Sequence, residues 1–277
     1  MTMNGEPAGT TAAAPGAAAG DPLLDIRDID CSYGPLQVLF GVGIQIPRGA
    51  RVALLGTNGA GTSTLLKVIS GLVEPSRGSV RFNGEDVTRM PPERRVALGM
   101  VQVAGGRATF PSLTLLENLR IGAYQFLGDR ALVESRLEEV LELFPQLRDR
   151  LDQPAGTLSG GEQQMMAVGR ALISGPELLM IDELSLGLAP VILQEIVRML
   201  DEALRRGVTL LVVEQSLNVA LALAEQGYFM EKGEIRFAGA IADLVERGDL
   251  VRSVFFGKRE AEGAPPARGR RRKIKEE

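Results

Sequence analysis

Histidine and tryptophan are absent from all 277 residues, and cysteine occurs once. Without histidine the chain cannot run Ser-His-Asp or Cys-His catalysis, nor hold zinc through imidazole. General-base work therefore falls to a carboxylate. The lone thiol, Cys31, can form neither an internal disulfide nor a cysteine metal cluster, and it reads as a small strand residue. Aromatic residues make up only 4% of the chain against 45% hydrophobic. The core must be aliphatic, as in α/β proteins with Val/Ile/Leu-rich strands. No apolar run approaches the ~18 residues of a membrane span. A basic n-region and a compact apolar h-region are also missing, so no signal peptide is expected. A formal net charge of −4 gives no global attraction to nucleic acid or anionic lipid. This composition suits the cytosol.

Residues 1–21 are rich in Ala, Gly, Pro and Thr without apolar periodicity, and are expected to be a disordered tail. Residues 258–277 are expected to be a second tail, with eight basic and four acidic side chains. A solvated tail is its plainer reading, and a weak contact with lipid or RNA the other. Between the tails, strand and helix signals alternate. "LLDIRDIDCSYG" alternates like a half-exposed strand, "RVALLG", "LGMVQV", "ELLMI" and "VTLLVV" read as strands, and "GSVRFNGEDV" reads as a hairpin with an Asn-Gly turn. Helical patterns cover "STLLKVISGLV", residues 113–148, residues 159–174 and "APVILQEIVRMLDEALRR". The pattern predicts an α/β fold: a mostly parallel sheet with helices on both faces, a small antiparallel lobe in front and a helical insertion in the middle.

"GTNGAGTSTLL", residues 56–66, follows a buried strand and opens a helix. It fits the phosphate-loop pattern G-x-x-x-x-G-K-(S/T) at Gly56, Gly61 and Ser63, but Thr62 stands in the lysine position. Glycines 56, 59 and 61 let backbone N–H groups face inward, and the helix adds its positive N-terminal dipole. Ser63 is placed to ligate magnesium. Taken alone, the stretch reads equally well as a glycine turn capping a helix. A lysine would reach the β- and γ-phosphates. Each lost charge-assisted hydrogen bond weakens binding by roughly 1.5–3 kcal/mol, and a lost transition-state donor slows chemistry about 10²–10³-fold. Lys67, five residues on, is rotated about 140° around the helix and is no clear substitute. Nucleotide binding through amides and magnesium is expected, with poor hydrolysis at this loop.

"ELLMIDELSLG" ends an apolar strand in Asp182 and Glu183. Such a strand end places Asp182 near magnesium, and Glu183 could orient or deprotonate an attacking water. "TLSGGEQQMMAVGRAL" opens a helix at Ser159, Gly160, Gly161 and Glu162, a second anion-binding end separate from the first. Two glycines each carry a helix penalty of ~1 kcal/mol, which a mere N-cap does not explain.

"LSGGEQQ" is similar to the signature of ATP-binding cassette ATPases, and the resemblance covers about residues 22–257. "CSYG" resembles the adenine-stacking segment with Tyr33 as stacker, "GTNGAGTST" the Walker A loop with its lysine replaced, and "LLMIDE" Walker B. "LSLGLAP" resembles the D-loop and "VVEQS" the switch region, with Gln215 in the switch position. Within the family, "SLGLAP", "GRATFPSLTLLENL", "LVVEQS" and "GYFMEKGEI" look most like an ATPase subunit of branched-chain amino-acid (or amide and urea) importers. The resemblance implies a P-loop NTPase, RecA-like core with an antiparallel β subdomain and an α-helical subdomain at about 107–160. It implies ATP and magnesium as ligands, with Gly56, Thr57, Asn58, Gly59, Ala60, Gly61, Thr62, Ser63 and Thr64 on the nucleotide, and Ser63 and Asp182 on the metal. Glu183 and Gln215 would be catalytic, and Ser159–Glu162 would act on a partner's nucleotide. The implied partners are a second ATPase subunit, identical or different, the transmembrane permease subunits and, indirectly, a solute-binding protein, with no nucleic acid. The implied location is the inner face of the cell membrane.

The chain departs from the family pattern at Thr62, at Gly105 where the Q-loop has Gln or Glu, mildly at Gln215, and at Leu184 where proline is common. Gln102 lies three residues before Gly105. Two readings follow: an active transport ATPase that tolerates Thr62, or a nucleotide-binding regulatory partner that does not hydrolyse at its own loop.

Overall fold

The apolar runs become strands, and their alternation sets where each side chain points. In the computed structural model, which describes residues 21–106 and 109–246, ten strands form two sheets. Strands β1 (Leu24–Tyr33), β2 (Leu36–Ile46), β4 (Arg77–Phe82) and β5 (Glu85–Asp86) make an antiparallel sheet ordered β2-β1-β4-β5. The second sheet runs β10-β9-β3-β8-β7-β6. In it β3 (Arg51–Gly56), β6 (Met100–Val103), β7 (Leu178–Asp182), β8 (Thr209–Glu214) and β9 (Gln226–Glu231) are parallel, and β10 (Glu234–Ala240) pairs antiparallel with β9. The tails expected at 1–21 and 258–277 lie outside the described residues, apart from Asp21.

Helices cover both faces of the parallel sheet. They are α1 (Thr62–Ser70), α2 (Pro92–Ala97), α3 (Leu115–Ile121), α4 (Arg130–Leu143), α5 (Gly160–Ile173), α6 (Pro190–Arg205), α7 (Leu217–Leu223) and α8 (Ile241–Glu246). Val52 and Leu54 of β3, Met180 of β7 and Leu211 of β8 join the core that holds α1 and the antiparallel sheet. Ala53, Leu55, Ile181 and Val212 join the core beneath α5, α6 and α7. Strand side chains alternate faces, so Asp182, two residues after Met180, falls on the α1 face. The expected α/β core with an antiparallel lobe and a helical insertion is what the chain forms. The predicted Asn-Gly turn is present too, with Asn83 and Gly84 at φ 52° and 78°.

One expectation fails in detail. Residues 113–148 are not continuously helical: α3 and α4 are separated by a 3₁₀ turn at Tyr124–Phe126, and a longer 3₁₀ segment occupies Pro145–Arg150. The second break has a local cause, since the residue before a proline avoids helical backbone and Phe144 sits at φ −123°, ψ 64°. The first lies beside a close approach. A Cβ on Gly122 would lie 2.1 Å from the Arg170 carbonyl, so α3 touches α5 backbone to backbone there. The strands β9 and β10 and the short helices α7 and α8 were not anticipated.

The rear of α1 is held by Arg95, a guanidinium only 1% exposed. It donates to the Val68 and Ile69 carbonyls at 2.7 Å each and to Met90 and Thr88 carbonyls at 2.8 Å. The Ile69 carbonyl is an orphan acceptor of the last helical turn, while the Val68 carbonyl also accepts from the Gly71 N–H at 3.2 Å. Leaving a buried acceptor unpaired costs about 1–3 kcal/mol. Arg95→Leu should therefore lower the unfolding free energy by at least about 2 kcal/mol in urea denaturation. A loss under about 0.5 kcal/mol, within the range of ordinary surface substitutions, would contradict this account of α1.

Candidate nucleotide-binding site

The loop between β3 and α1 carries the predicted glycines, and the backbone explains them. Gly59 and Gly61 have φ 82° and 101°, a region that side chains disfavour. Gly56 is enclosed: a Cβ there would lie 2.9 Å from the Thr62 methyl and 3.0 Å from the Met230 carbonyl oxygen. Thr62 thus turns its methyl onto the first glycine of the loop. Gly61, the N-cap of α1, has no side-chain cap, so no side chain occupies the amides of the first turn. The Ala60 N–H donates to the Thr57 carbonyl at 2.9 Å, and the Gly233 N–H donates to the Ala60 carbonyl at 2.9 Å. The β9–β10 turn therefore braces the loop from behind. Asn58, Gly59 and Ser63 are exposed, while Thr57, Thr62 and Thr64 are half-buried.

Tyr33 ends β1 on the exposed tip of the β1–β2 hairpin, opposite Leu36. The strand that returns from this tip passes the loop, since a Cβ on Gly61 would lie 2.9 Å from Leu39 and 3.3 Å from the Val38 carbonyl oxygen.

At the carboxyl ends of β7 and β8, three carboxylates meet. The Ser63 hydroxyl hydrogen-bonds Asp182, bringing α1 and β7 together. Burial raises the Asp182 pKa, the Glu183 charge raises it further, and Ser63 and the positive charge of Lys67 oppose them. Lys67 thus acts on Asp182 at a distance, a role its position on the helix did not suggest. The Asp182 Oδ1 is buried without a hydrogen-bond partner. A buried oxygen acceptor beside a serine hydroxyl suits a hard, oxygen-seeking cation, so these residues fit magnesium. Glu183 follows in a left-handed conformation, φ 51°, and its carboxylate accepts from the Gln215 amide. Gly105 lies against Asp182, a Cβ there being 3.7 Å from its Cγ. At this Q-loop position only backbone faces the carboxylate. The Gln102 Oε1 is also buried without a partner.

The signature segment folds as the sequence suggests. Ser159 caps α5 by accepting from the Glu162 N–H, and the Glu162 carboxylate accepts from the Ser159 N–H at 2.8 Å. Burial pulls the Glu162 pKa upward, but the Ser159 bonds and Arg150, 2.8 Å away, outweigh it and hold it low. Gly161 also has a packing reason: a Cβ there would meet Ile192 of α6 at 2.6 Å. That corrects the expectation that both glycines await explanation by an anion. The α5 side chains pack into the core on one face of the parallel sheet, and those of α1 into the core on the other. One chain therefore does not bring Ser159–Glu162 to its own loop. Sequence reasoning also missed a second pair at the strand ends. Ser185 donates to Glu214 through its N–H at 3.0 Å and its hydroxyl at 2.8 Å. The only available hint was a carboxylate at a strand terminus in "VVEQS".

Comparison with known proteins bears on the same features. Residues 39–185 match the ABC transporter family. The chain is 43% identical over 235 residues to the high-affinity branched-chain amino acid transport ATP-binding protein BraG of Pseudomonas aeruginosa, covering 85% of this chain and 100% of that one. It is 36% identical over 228 residues to the probable branched-chain amino acid transport ATP-binding protein LivF of Archaeoglobus fulgidus, covering 81% and 94%. A solved ATP-binding cassette of an ABC transporter in its ADP conformation superposes with a TM-score of 0.78 at 28% identity, over 86% of this chain and 100% of that one. With a glycine loop, paired carboxylates at a strand end and a capped signature helix in one α/β core, the chain belongs to the ABC transporter family as an ATP-binding, ATP-hydrolysing subunit.

Proposed function

We propose that this chain powers an importer of branched-chain amino acids, paired with a second cassette beneath two permease subunits on the inner face of the membrane. The names borne by the relatives from Pseudomonas and Archaeoglobus support the solute class. No helix among the described residues is long and apolar enough to cross a membrane, which suits attachment through partners. We further propose that the domain spans residues 22–257, with the helical subdomain at about 107–160.

The observation that carries the mechanism is the placement of the two anion-binding ends on opposite faces of the sheet. Each can serve a triphosphate only with a second subunit. At its own loop, backbone amides from Gly59 to Thr64 would hold the β- and γ-phosphates, and Tyr33 would stack on adenine. Magnesium held by Ser63 and Asp182 would neutralise phosphate charge. Glu183, oriented by Gln215, would hold the attacking water and take its proton. Thr62 offers a hydroxyl and a methyl where the reaction calls for a cation. At the partner's loop, Ser159–Glu162 supply an intact helix end. The pair is therefore asymmetric, slow at this chain's loop and competent at its partner's. Closure on ATP would drive the permease between conformations.

Gly61→Ala forces a side chain into φ 101° against Leu39. Strain of about 1–3 kcal/mol should weaken nucleotide binding roughly tenfold or more by calorimetry; unaltered affinity would remove the loop from the site. In the full chain, Thr62→Lys should raise ATP turnover about 10²-fold, and adding Glu183→Gln should abolish the gain. If the unmodified chain already matches its Thr62→Lys variant, the asymmetry is wrong.

A further inference from the structure

Glu214 is 1% exposed, and among the described residues no lysine or arginine forms an ion pair with it. Burying a carboxylate without a cation is strongly unfavourable unless donors surround it. Here they do. Ser185 supplies its N–H and its hydroxyl, and the nearby backbone N–H groups of Gln215 and Ser216 lower the carboxylate's pKa as well. The next side chain, Gln215, donates to Glu183, while the Val213 carbonyl accepts the Glu183 N–H at 3.0 Å. Three consecutive residues at the end of β8 therefore grip Glu183 and Ser185 by three separate contacts.

Glu183 needs such a grip. Its left-handed backbone is one that non-glycine residues leave unless their surroundings fix it. One strut lies before it, in the β7–β8 pairing of Asp182 with Val213, and the other lies after it, in Ser185 on Glu214. The two carboxylate oxygens accept one Ser185 donor each. A glutamine of the same size keeps an acceptor for the Ser185 N–H but turns an NH₂ group toward the hydroxyl, which must then reverse and accept, and removes the charge.

We infer that Glu214 is a positioning residue: by pinning Ser185 it fixes the backbone turn that aims the Glu183 carboxylate. It touches neither nucleotide nor water. The inference rests on the proposed role of Glu183, and the test separates the two. In the full chain carrying Thr62→Lys, Glu214→Gln is expected to lower kcat between about tenfold and 10²-fold, as misplacement of a reacting group does. Nucleotide Kd should stay within about twofold, since Glu214 lies outside the phosphate loop; merely structural damage would move both. Ser185→Ala keeps the backbone donor and should lose less. Combined with Glu214→Gln it should add little, because the two residues share one contact. Amide exchange across residues 183–188 should quicken in Glu214→Gln. Unchanged turnover, or turnover lost together with nucleotide affinity, overturns the inference. If the Thr62→Lys parent does not hydrolyse ATP, it is the functional reading that has failed. Exchange then decides: slow exchange at Ser185 in Glu214→Gln refutes the grip, and fast exchange sustains it.

Discussion

Three carboxylates converge at the carboxyl ends of β7 and β8, and the site depends on each being met by a different donor. Asp182 meets the hydroxyl of Ser63, Glu183 the amide of Gln215, and Glu214 the backbone and hydroxyl of Ser185. Like charges this close repel, and burial strengthens the repulsion. Burial raises the pKa of Asp182 and of Glu214; Glu214 is met by neutral donors, and Asp182 by Ser63 with the Lys67 charge acting at a distance. Dipoles leave the local charge negative, as a site for a divalent cation and its phosphates requires. A tightly paired arginine here would stabilise the resting fold and block that chemistry.

The loop shows the opposite economy. No side chain caps the amides of the first turn of α1, and Gly59 and Gly61 adopt backbone conformations that side chains avoid. Only the mobile charge is missing, and Thr62 closes the gap with a methyl packed on Gly56. Thr62 is half-buried and accommodated by the fold; under the proposed reading it withdraws the group that would answer charge developing on the γ-phosphate. Gly105 removes a second side chain from the same neighbourhood, next to Asp182. In the proposed pairing both departures fall at this chain's own loop. The signature half, with its capping box and Arg150 anchor, keeps the family pattern.

What the sequence made legible was whatever local chemistry decides. "RVALLG", "LLMID" and "TLLVVE" are apolar on both faces and could only be buried parallel strands. Ser159 with Glu162 three residues on announced a capped helix, and Asn83-Gly84 announced a hairpin. The glycine positions of the loop were legible because glycine spacing is a backbone requirement; the nucleotide roles of its residues followed from the resemblance. Long-range packing was not legible. In β9, "QGYFME" has an apolar stretch of only three residues, and it is buried because β3 and β10 flank it. Gly161 has a packing reason that the sequence did not show, Ile192 beside it. Glu214 showed only as a carboxylate at a strand terminus, because its partner lies 29 positions away and a serine is silent in sequence.

The backbone contact between Gly122 and Arg170 limits how the helical insertion can deform. At that point α3 and α5 meet backbone to backbone, and the Leu119 side chain of α3 packs on α5 beside Gly169. Sliding one helix along the other would drive the Gly122 backbone into the Arg170 carbonyl. From Arg170 back to the Ser159 end is about three helical turns, roughly 16 Å at 1.5 Å per residue. The seam therefore fixes the register of α3 against the signature helix about three turns from the signature glycines.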